Sequence, residues 1–360
     1  MNVLRRNVWQ FPRRNYGVPT PRYNRKSQRT RSCSNCEESS SSAIDVSPLA
    51  NKLRSKIREY TRTEHLKLVG ILANHGSQRY DSDIYSERIA QNFLEDGIDY
   101  ELWSTKEKCN PSLDTWIKHK IQIANRCKEV HGVLIFYPIY PRGLKGPYKS
   151  RLTGVYYKTQ DDHLRDLVSP TKDVEGLCST KWFNVRDSSR WQKDAIPSTI
   201  YPCTAMSVLK ILQEYHINTY HEWGNQTISI VNRSEIIGRP LAVMLAQMGA
   251  TVYSIDVDSI LQFRPNGERL RRCNTQVTTL KTCLRESNVV VTGVPHADFQ
   301  LPLYCIAEGA TVVNVSEFYN VCEETLLTQR PDIKYIPQVG KVTVAVLENN
   351  LMNLKIKHSI

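Results

Sequence analysis

The sequence predicts an α/β protein of two domains, each built on a largely parallel sheet, with a cleft between them. Three observations carry this. Apolar, strand-like runs alternate with helical periodicity between residues 66 and 137. From Thr227 a β-branched run, a polar turn and a helix-forming run lead to a second strand that ends in Asp256. The length of 360 residues is enough for two substantial cores.

Taken in order, Ser47-Pro48 reads as an N-cap and first helical residue, and Leu49, Leu53, Ile57 and Tyr60 recur on one face, so a helix opens the folded region. Leu66 to Ala73 is an apolar strand, followed by a helix from about Ile84 to Asp96 and a strand from Ile98 to Trp103. Ser112 caps a helix that turns Leu113, Ile117, Ile121 and Ala124 inward, and Gly132 to Tyr137 returns as a third strand. Strands joined through helices pair in parallel. Tyr137-Pro138-Ile139-Tyr140-Pro141 closes the third strand at the edge where open α/β sheets place ligands. A helix is expected over Tyr148 to Leu152, a loop over Ser169 to Gly176, and a helix from Pro202-Cys203-Thr204. Further strands are expected at Asn288 to Thr292, Ala310 to Val315 and Ile333 to Ile336, and a terminal helix at Thr343 to Leu354. The expected domains are 47–200, to which 340–360 returns, and 201–339.

The stretch Ile230 to Pro240 is a strand, a turn and the start of a helix. Such a junction aims backbone N–H groups and the positive helix end at one point, where a pyrophosphate can sit. Asp256 lies 24 positions after Asn232, near the ~20-residue spacing of a ribose-binding acid. The unit therefore reads as a Rossmann-like, dinucleotide-binding βαβ. Its glycine fingerprint is incomplete, because Asn232 stands where the first glycine belongs and only Gly238 remains. Asparagine tolerates positive φ better than most residues, so the turn is still possible. An ordinary βαβ unit with an acid at its strand end is the alternative.

Nine of the twelve net positive charges fall in the first 31 residues, which hold no acid. The basic balance is thus a property of a tail, and no nucleic-acid partner is expected for the folded part. Residues 1–46, with the run Ser39 to Ser42 and few apolar side chains, read as disordered, as a mitochondrial transit segment or as a nucleic-acid-binding tail. The cytoplasm is the expected compartment, with the mitochondrion as the alternative from that N-terminus. Of ten cysteines only Cys33 and Cys36 are closely spaced. Without a second pair no metal site is expected, and the cysteines read as reduced. No apolar run approaches the ~20 residues of a membrane span.

Seven pieces in order resemble one family: Tyr85 with Gly97-Ile98 downstream, Tyr137-Pro138, Lys172 to Gly176, Pro202-Cys203-Thr204, Ser234 to Pro240, Thr292 to Pro295, and Val339 to Thr343. Together they are similar to the methylenetetrahydrofolate dehydrogenase/cyclohydrolase family, over roughly residues 47 to 355. In bifunctional members a lysine four residues after the tyrosine and a glutamine two before the strand-end proline open the methenyl ring with water. This chain has Ile89 and Phe136 there, and neither side chain can move a proton. Loss of general acid–base help removes about 10²–10⁴-fold. The resemblance therefore implies a dehydrogenase without cyclohydrolase activity, closest to the fungal-type monofunctional NAD-dependent subset, with which Asn232, Glu235, Glu175 and Asp256 agree.

The same resemblance implies the site. Tyr85 should lie against the aminobenzoyl part of a folate substrate, Glu175 should hydrogen-bond the polar edge of the pterin, and Pro138 should shape the pocket. Cys203 either approaches the nicotinamide or is a buried structural cysteine. Ser234 and Gly238 belong to the cofactor turn, Asp256 and Val257 to the ribose end, and Gly293-Val294-Pro295 should touch the nicotinamide ribose. An acid at Asp256 accepts from ribose hydroxyls and repels a 2′-phosphate. Arg233 favours that phosphate instead, so a pair between Arg233 and Asp256 is expected to leave NAD as the cofactor. A homodimer through the cofactor domain is implied. Two other readings are kept: a shikimate-dehydrogenase-like oxidoreductase, for which no lysine–aspartate pair is placed, and a non-catalytic folate- or nucleotide-binding relative.

Overall fold

The computed structural model describes residues 43–73, 78–105, 112–140, 148–149, 154, 156–178, 200–217, 220–263, 271–273 and 277–358. The basic tail and the Cys33/Cys36 pair lie outside the described residues.

The first sheet holds three parallel strands in the order β2-β1-β3, namely β1 (Lys67–Leu72), β2 (Asp99–Ser104) and β3 (Gly132–Ile135). Only the first residue of β1 is not buried, as the continuous apolar run of a central parallel strand requires. Helices α1 (Ser47–Tyr60), α2 (Gln78–Glu95) and α3 (Leu113–Arg126) precede the three strands. In α1 the cap is displaced by one residue: Ser47 is already helical, and Asp45 Oδ1 accepts its N–H at 2.9 Å and its hydroxyl at 2.5 Å. Ser112 does hold the N-cap position of α3, but its hydroxyl meets Thr115 Oγ1 rather than a backbone amide.

The helix expected from Tyr148 is not formed at its start. Tyr148–Lys149 is strand β4, paired antiparallel with β5 (Tyr156–Tyr157). The Tyr148 ring lies 4.7 Å from that of His163, on the short helix α4 (Gln160–Leu167), and this ring contact outweighs local helix propensity. The capping box Thr159/Asp162 fixes the start of α4.

The second sheet has seven strands in the order β12-β11-β10-β6-β7-β8-β9. Its parallel part consists of β6 (Thr227–Val231), β7 (Thr251–Ile255), β10 (Val289–Thr292), β11 (Thr311–Asn314) and β12 (Lys334–Ile336). Strands β8 (Ile260–Phe263) and β9 (Arg271–Arg272), which the sequence did not announce, add antiparallel at one edge. Helices α5 (Cys203–Tyr215), α6 (Gly238–Gln247), α7 (Leu280–Glu286) and α8 (Glu323–Gln329) accompany it, and α9 (Gly340–His358) ends the chain. Chain order reverses at β6, which has β7 on one side and β10 on the other. Ligands of open α/β sheets bind at the carboxyl ends of strands flanking such a switch point.

One apolar cluster runs through both halves, taking in Ile57 of α1, Leu68 of β1, Leu209 of α5, Ile228 of β6, Leu245 of α6 and Leu351 of α9. The terminal helix α9 packs on both α1 and α5. It also buries a charge cluster. Arg54 and Arg58 of α1 reach Asp96 at 2.5 and 2.6 Å, and Glu348 of α9 is fully buried 3.7 Å from Arg54. Burial, then the charge of Asp96, pushes the Glu348 carboxyl up to about 9 from an ordinary 4.5. The folded state therefore keeps a proton that the unfolded state gives up. This contribution to stability is complete below about pH 4.5 and is lost as the pH rises to about 9. Glu348→Gln, which keeps the neutral shape, should raise the melting temperature at pH 8–9 by the equivalent of about 1–3 kcal/mol and flatten its alkaline decline. Thermal melts across pH check this, and an unchanged slope would reject it.

Candidate active site

Asn232 is the only non-glycine residue at positive φ among the described residues, at 97°. It follows β6 directly, and its backbone N–H donates to the Ile255 carbonyl at 3.0 Å while its Nδ2 donates to the Gly293 carbonyl at 2.6 Å. One asparagine thus ties the ends of β6, β7 and β10 together. Ser234 Oγ accepts the N–H groups of Ile237 and Gly238, both at 3.1 Å, and so caps α6 from outside. A Cβ on Gly238 would collide with the Asn232 carbonyl oxygen and lie 3.0 Å from Arg233 Cα. The close backbone approach therefore requires glycine here. Asn232, Ser234, Gly238 and Gly293 share a cleft of about 220 Å³, counting space open to solvent, whose walls include Val231 and Val315.

The expected pair between Arg233 and Asp256 is not formed. The Arg233 guanidinium instead donates to Ser254 Oγ (3.1 Å) and carbonyl (2.5 Å) and to Ser259 Oγ and carbonyl (both 2.9 Å). Four fixed acceptors under the β7–β8 turn hold an arginine fork better than one half-exposed carboxylate. Asp256 Oδ1 accepts the adjacent Val257 N–H at 2.9 Å. Its other oxygen has no hydrogen-bond partner among the described residues, and Val257 itself is exposed.

On the other side of the cleft the Gly293-Val294-Pro295 turn is held by a residue that no sequence motif marked. Asn320 is fully buried, accepts from Thr292 Oγ1 (3.0 Å) and Val294 N–H (2.8 Å), and donates to the Val294 carbonyl (2.9 Å). Ser316 Oγ donates to the same carbonyl at 3.1 Å. The turn is thus set before any ligand arrives.

The second group of site residues gathers on the first sheet. Residue 173 bridges Val133, so the Lys172-Asp173 segment runs beside β3. Asp173 is buried and accepts the N–H groups of Gly176 and Cys178, both at 2.9 Å. Gly176 has φ 70°, and a Cβ there would lie 2.5 Å from the Tyr201 carbonyl carbon, so the loop is pressed against the approach to α5. That loop presents Glu175. The residue keeps some exposed surface, but its carboxyl is enclosed, and burial followed by the charge of Asp173 pushes it up to about 8. Arg165 and the Ile135 amide act the other way. Pro138 is half-buried after a cis peptide bond from Tyr137.

Cys203 is buried. Its thiol donates to the Val174 carbonyl at 3.3 Å and is approached by Asn350 Nδ2 at 3.6 Å, and burial drives its ionisation well above the ordinary range. Of the two roles open from sequence, this geometry fits the structural one. Asn350, from α9, also donates to the Val174 and Tyr201 carbonyls, at 2.8 and 3.0 Å. Ile89 and Phe136 are core residues, 0% and 4% exposed. For Tyr85 the backbone lies in α2, while its side chain is outside the described residues.

Comparison with known proteins agrees with this arrangement. Residues 202–359 match the family profile described as tetrahydrofolate dehydrogenase/cyclohydrolase, NAD(P)-binding domain. The chain is 31% identical over 323 residues to a methylenetetrahydrofolate dehydrogenase [NAD(+)] of Dictyostelium discoideum, covering 86% of this chain and 93% of that protein. It is 33% identical over 297 residues to the protein of the same name from Schizosaccharomyces pombe, covering 80% and 84%. The solved NAD-dependent 5,10-methylenetetrahydrofolate dehydrogenase of Saccharomyces cerevisiae superposes with a TM-score of 0.70 at 27% identity, covering 88% of this chain and 98% of that one.

Proposed function

The chain belongs to the methylenetetrahydrofolate dehydrogenase family, and from that premise we propose that it oxidises 5,10-methylenetetrahydrofolate to 5,10-methenyltetrahydrofolate with NAD. The observation that carries the proposal is the pairing of the pre-formed Asn232–Gly238 turn with an Asp256 carboxylate whose second oxygen has no hydrogen-bond partner among the described residues. When bound, NAD accepts the hydride that leaves the bridging methylene carbon with its two electrons. The residues present fit that cofactor: Gly238 lets the backbone approach, the start of α6 favours a pyrophosphate, and Asp256 suits a ribose diol. Arg233 spends its N–H groups on Ser254 and Ser259, so it is not poised for a 2′-phosphate.

On the folate side, Glu175 receives the adjacent ring N–H and amino group of the pterin, Pro138 shapes the pocket wall, and the family resemblance assigns the aminobenzoyl ring to Tyr85. Hydride loss needs no protein base, and orientation can supply about 7–11 kcal/mol of the barrier reduction. Water addition to the methenyl product does need proton transfer, and Ile89 and Phe136 fill that place with packed hydrocarbon. Cyclohydrolase activity is therefore absent in this reading. With the purified protein, disappearance of methenyltetrahydrofolate should run no faster than in buffer; an enzyme-dependent hydrolysis rate would overturn that part.

A homodimer through the second sheet, and the cytoplasmic or mitochondrial location of the chain, belong to the same proposal. Sedimentation and imaging of the tagged full chain test them. No described helix is long and apolar enough to cross a membrane.

A further inference from the structure

Helix α4 holds polar groups that the proposed reaction does not use. Asp161 and Arg165 are one helical turn apart and grip the strand-end turn on both sides of Pro138. Asp161 Oδ2 accepts the Ile139 N–H at 3.3 Å, and the Arg165 guanidinium lies over the Tyr137 ring, 4.8 Å from its centroid. Arg165 is only 13% exposed and is tethered by its Nη1 to Asp162. Three atoms in this cluster are buried without a hydrogen-bond partner: Tyr137 Oη, Asp161 Oδ1 and Arg165 Nε. Buried polar atoms left in this state are costly, so their grouping calls for an explanation. Among the described residues, the charges that act on Glu175 are Asp173 on its own loop and Arg165 from α4, while burial keeps the nearby Tyr137 and Cys203 neutral.

We propose that Arg165 is a positioning residue for the folate pocket: lying over the Tyr137 ring, it holds the Tyr137-Pro138-Ile139 turn in the place where that turn forms the pocket wall. This rests on the reading of Glu175 as the pterin contact. The ring N–H and amino group of a pterin are both donors, so they pair with a carboxylate and not with a carboxylic acid. The positive charge of Arg165 favours ionisation of that carboxyl, while the enclosing protein and Asp173 oppose it. Without Arg165 the Glu175 proton would be held to still higher pH and the pocket wall would be looser.

The test is the pH profile of kcat/KM for 5,10-methylenetetrahydrofolate at saturating NAD, in wild type, Arg165→Met and Arg165→Lys. Wild type should rise with pH and level off above about 8, the ionisation of Glu175. Arg165→Met should move that inflection up by about one pH unit and raise the folate KM at pH 7 about tenfold, with kcat changed much less. Arg165→Lys should return the inflection to within about 0.3 units, since charge is retained. Should Arg165→Met not fold, Arg165→Gln carries the same comparison. An inflection that stays in place in a folded, neutral variant overturns the proposal, as does a lysine variant no better than methionine. Absence of folate-dependent NADH formation in the wild type would instead overturn the reading beneath it.

Discussion

Glu175→Gln should lower kcat/KM for the folate by about 10²–10³-fold at pH 8, because two charge-assisted hydrogen bonds to the pterin become one neutral contact and one clash of donors. The folded carboxyl is raised to about 8, so at pH 7 most of the free protein carries the proton that folate binding must expel. Wild-type kcat/KM should therefore climb about tenfold per pH unit below the inflection and become flat above it. The glutamine variant, having nothing to titrate, should show a level profile. Stopped-time NADH assays from pH 6 to 9 measure both features. A variant that keeps the wild-type slope would locate the ionisation elsewhere.

Gly238→Ala should raise the NAD KM by at least about 10²-fold. Its new methyl would enter the Asn232 carbonyl oxygen, and the turn that must receive the cofactor has no room to yield. Asn232 is pinned by Ile255 and Gly293, and Ser234 by the N–H groups of Ile237 and Gly238. A displacement of about 1 Å in such a site can cost about 10²-fold. Because Gly238 begins α6, which packs on the second sheet and, among the described residues, not on the first, tetrahydrofolate binding without NAD should stay within about twofold of wild type. Calorimetric titration of each ligand separates the two; equal loss of both would mean that the substitution unfolds the protein.

The parts of this architecture that could be read from sequence are those whose cause is local. The β-α-β-α-β order of the first sheet follows from alternating periods, and the Asn232 turn from its place between a β-branched run and a helix-forming run. The positive φ at Asn232 was foreseeable because asparagine tolerates it, and it occurs. What was not legible depends on partners distant in the chain. The Tyr148 strand exists because Tyr157 pairs with it and His163 packs on its ring. Arg233 takes Ser254 and Ser259 rather than Asp256 because the β7–β8 turn, itself unannounced, brings two hydroxyls and two carbonyls to one point.

The same distinction applies to the site. Glu175, Gly238 and Gly293 sit in short motifs, and each occupies a turn that the motif explains. Asn320 and Asn350 carry no motif. They matter because burial leaves their amides to satisfy the Val294 and Val174 carbonyls, across 26 and 176 residues of sequence. Arg165 is similar: it follows an ordinary capping box and looks in sequence like a surface charge, until the fold lays it on Tyr137. Exposed ion pairs such as Lys158 with Glu235, 2.5 Å apart across the cleft face of the cofactor turn, contribute little by comparison.

The most direct measurement of the whole account is a steady-state assay of the purified full chain with 5,10-methylenetetrahydrofolate, NAD against NADP, alongside methenyltetrahydrofolate hydrolysis. NADH formation with NAD strongly preferred, and hydrolysis indistinguishable from buffer, is the predicted result. Preference for NADP, or enzyme-dependent hydrolysis, would contradict it.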